Sequence, residues 1–222
     1  MRDERRRVSL TTIPIFPLPG LVLFPRTVMP LHIFEPRYVR LVTSAIESDY
    51  RIASANLRKG WEKDYFGAPP ANRVVTIARV LHHEKLPDRR FNILLEGIER
   101  AALVDELQEK PFRVGRVLPL PDLMDDGDRE AIRVATRELT GLAAQIAEYA
   151  PEMRGVLTNL DNQHLHPGII ADQVAAALVR ESYDRQCILE QRRVLRRIEL
   201  VSVQLRIRLA QLVDEAPADR MD

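Results

Sequence analysis

The side chains of this 222-residue chain that could act as nucleophiles are six serines and one cysteine, and none stands in a motif that would activate it. Ser9, Ser44, Ser48, Ser54, Ser182 and Ser202 lie outside any G-x-S-x-G turn or S-x-x-K pair. Cys187 falls near the start of a long helical pattern, where a thiol can be acidified, but a small packed residue is the commoner outcome there. The histidines do not make a metal site. His82 and His83 are adjacent in a strand pattern and therefore point to opposite faces, while His164 and His166 sit in a loop with no cysteine near. Zinc-type spacing is absent, so neither a metal nor another cofactor is expected. The nine glycines are scattered singly, and no G-x-x-x-x-G-K-[ST] run is present to cradle a nucleotide phosphate. The chemistry left to this chain is recognition.

Two stretches could recognise something. Trp61, Tyr65 and Phe66 stand in a loop pattern over 58–72 that is otherwise charged, glycine- and proline-containing. Aromatic side chains in such a setting act as anchors for an apolar partner, or fold back to cap the body of the protein, and the residues alone leave both open. Arg58, Lys59 and Lys63 around Trp61 raise a rival reading, in which rings stack on RNA bases and the basic groups meet phosphate. Overall charge argues against nucleic acid, because 33 basic side chains against 32 acidic ones leave a net charge of +1. The second stretch is Arg192, Arg193, Arg196 and Arg197, which shares a helix with Glu190 and Glu199 and reads as a solvated, partly paired face.

The elements that position these residues are organised around Ile13 to Tyr38. Pro14, Pro17, Pro19, Pro25 and Pro30 are set there among apolar residues, which rules out helix and solvated linker alike and breaks the stretch into short buried strands of a barrel. Phe24, Ile33 and Phe34 are expected in the core, and His32, inside the apolar run, as a hydrogen-bonded structural histidine. Pro36 opens a helix that ends near Ser48 or Asp49. Strands are expected over 51–57, 74–81, 91–98 and 112–118, with a hairpin at Pro87-Asp88. Beyond Asp122 the pattern turns helical: one helix from Asp128 to Tyr149 behind acidic Asp125, Asp126 and Asp128, a short piece to Leu160, and another from Pro167 through Leu178. A last continuous helix runs from Asp184 to Val213, about 45 Å long, with a stripe of Ile188, Leu195, Ile198, Leu205, Leu209 and Leu212 interrupted at Gln191 and Ser202. The expected organisation is a disordered basic tail over 1–12, a mostly antiparallel β-barrel subdomain over 13–122, a helical subdomain over 123–215 and a tail over 216–222. That is an α+β fold. A single cysteine permits no internal disulfide and points to a reducing, cytoplasmic compartment, and no apolar run reaches the ~18 residues of a membrane span.

The order Phe16-Pro17, Phe24-Pro25 and then Pro30-Leu31-His32-Ile33-Phe34-Glu35-Pro36-Arg37-Tyr38 resembles the opening signature of the Lon protease N-terminal domain, the LON substrate-binding domain. The likeness continues through Leu86-Pro87-Asp88, Asn92-Ile93-Leu94-Leu95, Arg116-Val117-Leu118-Pro119-Leu120, Ala171-Asp172 and Leu189-Glu190, about residues 13 to 212 in all. It implies a PUA-like barrel followed by a helical bundle. It also implies a stand-alone, non-enzymatic module that binds unfolded or partner polypeptide, or docks to a protease acting in trans, through apolar surface. PUA-like barrels that bind RNA keep the rival reading in place.

The parent protease joins this domain to an ATPase module and a serine-lysine peptidase, and neither signature is found here. The purified 222-residue chain is expected to turn over neither ATP nor casein; activity that follows it through successive columns would overturn that expectation.

Overall fold

The structure, a computed structural model, describes residues 9–107, 111–150 and 165–215. It has two compact units, which divide between Pro121 and Asp122. The first contains β1 (Thr11–Leu18), β2 (Val28–Ile33), α1 (Pro36–Ile46), β3 (Arg51–Asn56), β4 (Val74–Lys85), β5 (Phe91–Leu107) and β6 (Val114–Pro119). Strand order is β2-β5-β4-β3-β1-β6, and β6 pairs again with β5, so five strands close a barrel while β2 lies outside the ring. All these pairings are antiparallel except β1 with β3. The 17-residue β5 carries β2 along Phe91–Glu96 and β6 along Ala101–Leu107.

The prolines explain how β1 can be shared. Its first half, Thr11–Pro14, pairs with β6 and its second half, Ile15–Leu18, with β3. The Ile15 amide donates to the Arg113 carbonyl on the β6 side (2.8 Å), and backbone groups alternate sides along a strand. The amide missing from Pro14 therefore faces the β3 side before that ladder begins, and the one missing from Pro17 faces the β6 side after that ladder has ended. Neither proline breaks a bond that the fold needs.

Several expectations are corrected here. Thr11 and Thr12 are not tail but the start of β1, because they pair with Val117 and Arg116; the expected tails over 1–8 and 216–222 lie outside the described residues, as does the helical piece to Leu160. The helix α1 ends at Ile46, where the Ser48 and Tyr50 amides both turn back to the Ala45 carbonyl and Tyr50 takes φ 63°. β4 and β5 run on to Lys85 and Leu107, since backbone pairing continues past the apolar run, as in His83 with Ile93. Their hairpin closes at Leu86–Arg90, with Arg89 at φ 67°. Gly97 in β5 is a position of close approach: a side chain there would collide with the Phe24 carbonyl. The barrel holds two apolar clusters, one around Phe16, Leu23, Ile33, Tyr38, Leu41, Val42 and Leu95, the other around Ile13, Ile15, Ala53, Val75, Ile77, Leu103 and Val117.

The second unit holds α2 (Arg129–Tyr149), α3 (Pro167–Leu178), α4 (Ser182–Glu190) and α5 (Val194–Glu215). The expected single helix from Asp184 to Val213 is thus two. Gln191 is extended (φ −80°, ψ 106°), and Leu123 pairs with Arg193 in a short parallel bridge, its amide bonded to the Arg192 carbonyl and its carbonyl to the Val194 amide. No proline or glycine marks this break. It is held by residues some seventy positions away, beyond the reach of local periodicity.

The break also rotates the helix. The buried face of α5 is Val194, Ile198, Val201, Ser202 and Leu205, so Ser202 belongs to it, while Leu195, Leu209 and Leu212 are only half-buried. Arg197 is not on a solvated face. It has no exposed surface, and its Nη1 and Nη2 donate to Asp122 Oδ1 (2.9 Å) and Oδ2 (2.5 Å). Its Nη1 also meets the Gln191 carbonyl at 2.9 Å, and its Nε lies 3.2 Å from Oδ1 of buried Asp172. Arg197 therefore joins the start of the unit, α3 and the helix break through one guanidinium. Gly168 leaves it room, because a side chain there would run into Arg197 and Asp122.

Ile198→Ala is expected to cost ~2 to 5 kcal/mol and Leu195→Ala only ~1 kcal/mol, read from urea denaturation. Arg197→Met should cost ~3 to 5 kcal/mol, because the buried Asp172 carboxylate then loses its guanidinium, and adding Asp172→Leu should recover much of the loss.

Candidate functional site

The signature Phe34-Glu35-Pro36-Arg37-Tyr38 lies where β2 hands over to α1. Glu35 is extended at the N-cap and Pro36 fills the first helical turn, which needs no amide donor. Tyr38 turns into the core, with its ring edge-on to Phe16 (4.7 Å between centroids) and its hydroxyl donating to the Pro17 carbonyl at 2.6 Å. Burial pushes its phenol far above the usual range.

Arg37 turns the other way. Its Nε donates to Glu35 Oε2 and its Nη1 to the Tyr65 carbonyl, each at 3.0 Å. The guanidinium stands 4.6 Å from the Tyr38 ring centre and 4.7 Å from that of Tyr65, a double cation–π contact. The Tyr65 hydroxyl closes the cluster by donating to Glu35 Oε1 (2.6 Å), and burial followed by this carboxylate raises its pKa. The signature residues thus fasten the aromatic loop in place.

In that loop, Trp61 begins a short 3-10 turn, Trp61–Asp64. Trp61 and Tyr65 pack against the second apolar cluster, and their rings lie 5.4 Å apart. The Phe66 ring stands 5.3 Å from Tyr65 but is 90% exposed. Two of the three aromatics therefore cap the barrel and the third faces solvent.

Beside Tyr65 opens an apolar groove of about 330 Å³, whose walls include Phe16, Leu18 and Leu21 on one side and Leu31, His32 and Phe34 on the other. Its position follows from the strand pairings. Past Ile15, β1 has β3 on one side only, and β2 has β5 on one side only, so a seam remains between them. The Pro17 carbonyl faces that seam and takes the Tyr38 hydroxyl. Phe34, expected in the core, is 62% exposed at the groove wall. The alternation that buries Ile33 turns its neighbours His32 and Phe34 outward, so the correction was readable from period two. His32 is likewise exposed, its Nδ1 2.8 Å from Asn92 Oδ1 and its ring stacked near Phe34.

Among the described residues, those with other conceivable chemistry are not brought together. Among the described residues no group of three or more His, Cys, Asp or Glu could hold a metal ion, and no described helix is long and apolar enough to cross a membrane. His82 and His83 are both exposed on β4. Cys187 is a half-buried free thiol in α4. The arrangement offers an apolar surface within a polar frame formed by Glu35, Arg37 and Tyr65.

Comparison with known proteins identifies the family and the fold. The family model for the ATP-dependent protease La (LON) substrate-binding domain matches residues 12–206. The Lon protease of Anaeromyxobacter dehalogenans is 29% identical over 191 residues, which are 85% of this chain and 22% of that protein. The Lon protease of Xanthomonas oryzae pv. oryzae is 31% identical over 196 residues, again 85% of this chain and 22% of the other. The chain thus spans about a fifth of the curated relatives it matches. Among solved structures, the N-terminal domain of a Mycobacterium avium complex Lon protease superposes with a TM-score of 0.71 at 15% identity, covering 88% of this chain and 98% of that one. A Lon N-terminal domain protein from Xanthomonas campestris gives 0.58 at 20% identity, covering 85% and 95%. With the family match running from β1 into α5, and the α+β fold shared with these N-terminal domains, the chain belongs to the LON substrate-binding domain family.

Proposed function

We propose that this chain is a non-enzymatic polypeptide-binding module that takes apolar segments of unfolded or partner proteins into the groove beside Tyr65. The observation that carries the proposal is the exposure of two phenylalanines: Phe34, 62% exposed on the groove wall, and Phe66, 90% exposed against the ring of Tyr65, which lines the groove and is hydrogen-bonded to Glu35 and Arg37. Exposed aromatic side chains on a fixed scaffold give contact area at small entropic cost. Family membership supports recognition of protein substrates, and the bound segment would be passed to a protease acting in trans. Residence in the cytoplasm accords with a single, unpaired cysteine. RNA binding is the weaker reading, because the loop interleaves Glu62 and Asp64 with Lys63, and Trp61 and Tyr65 are engaged with the barrel and each other.

The test uses reduced, carboxymethylated α-lactalbumin as an unfolded probe. Phe34→Ala with Phe66→Ala should weaken its binding at least tenfold, about 1.4 kcal/mol or more, with little change in the unfolding midpoint. Trp61→Ala should instead lower stability by ~2 kcal/mol or more, since that ring packs on the core. Unchanged affinity in the double variant would remove the groove from the function, and displacement of the probe by single-stranded RNA would favour the rival reading.

A further inference from the structure

The free edge of β2 has a definite hydrogen-bonding pattern. The Thr27 carbonyl accepts from the Gly97 amide on the β5 side (2.9 Å), so Met29, Leu31 and Ile33 also turn their backbone groups toward β5. Val28, Pro30 and His32 turn theirs the other way, toward the seam. Pro30 brings no amide, which leaves the Pro30 carbonyl and both backbone groups of His32 as the free edge, with His32 at the groove wall. These groups have no backbone partner among the described residues. The opposite lip cannot supply one, because Pro17 lacks an amide and its carbonyl is held by Tyr38.

We infer that the groove takes its segment as an extended strand added to β2 at His32. This rests on the polypeptide-binding reading and specifies the conformation and chemistry of what is bound. A helical segment has no backbone groups to offer, so laying one in the groove would cover the His32 amide and carbonyl without satisfying them. An added strand pairs them and sends every second side chain between Leu18, Leu21 and Leu31. Charge selects as well. Glu35 is neutralised by Arg37, and Arg90, beside His32, by Asp88, so a charged side chain entering the groove would lose its water and find no counter-ion. The substrate class is an uncharged apolar segment of extended conformation.

The experiment takes 12-residue overlapping peptides of α-lactalbumin, selects the one bound most tightly by the full chain, and replaces its amides one at a time by esters. Strand addition predicts losses of roughly fivefold at two amides spaced two residues apart, those that face the His32 and Pro30 carbonyls, and near-unchanged affinity at the amide between them. In the protein, His32→Pro should lose roughly fivefold relative to His32→Ala, since the two differ by the seam-facing amide and share the loss of the imidazole. Binding with no alternation in the ester series would overturn strand addition while leaving polypeptide binding intact. Failure of every peptide to bind, with the chain folded, would overturn both.

Discussion

The hydroxyl of Tyr38 on the carbonyl of Pro17 is the bond on which the arrangement of the barrel unit depends. Where β1 runs on past its ladder with β6, backbone groups are left that must be satisfied elsewhere, and here one of them is met by a side chain arriving from α1. The same residue sets the helix against the first apolar cluster, its ring on Phe16. Pro36, at the start of that helix, fixes where Tyr38 points. Arg37, one position earlier, is thereby turned outward to clasp Glu35 and Tyr65. A short run of residues thus anchors the core with one side chain and the surface loop with another.

Much of this was legible in the residues and some was not. The helix opened by Pro36, the hairpin at Pro87-Asp88 and the helices at Arg129 and Pro167 all follow from local rules, because the forces that set them act within a few residues, whereas Pro14, Pro17 and Pro30, expected to break strands, lie inside β1 and β2 with their missing amides turned away from the ladders. The relationship to the LON family was legible from the order of unusual residues. The break at Gln191 was not, since it depends on Leu123 bonding across the sequence to Arg192 and Val194. Arg197 shows the same limit. On a helical pattern it looks like any basic residue in a charged run, and only the convergence of Asp122 and Asp172 buries it.

The candidate site shows a mixed outcome. The aromatic loop stood out because Trp61, Tyr65 and Phe66 are unusual in so polar a stretch, but nothing local distinguishes the two rings that pack from the one that does not. Phe34 stands in an apolar run that reads as buried throughout, although alternation from Ile33 turns it outward. The groove itself comes from a pairing that does not form, and the absence of a ladder leaves no mark on composition. Its trace lies in the phase of Pro17 and Pro30, which both delete donors on the side facing the seam.

The sharing of β1 between β3 and β6 bears on how the chain is made. Thr11 pairs with Val117, 106 residues later, whereas Ile15 meets Ala53 after only 38. During synthesis at ~5 to 20 residues per second, the first half of β1 waits roughly 5 to 20 seconds after the strand is made before its partner exists. The second half finds β3 in roughly a third of that time. Until β6 is made the Thr11 end of β1 has no partner, and the ring that β6 closes with β5 cannot form. A nascent chain in that state presents an unpaired strand end to anything that binds near the ribosome exit.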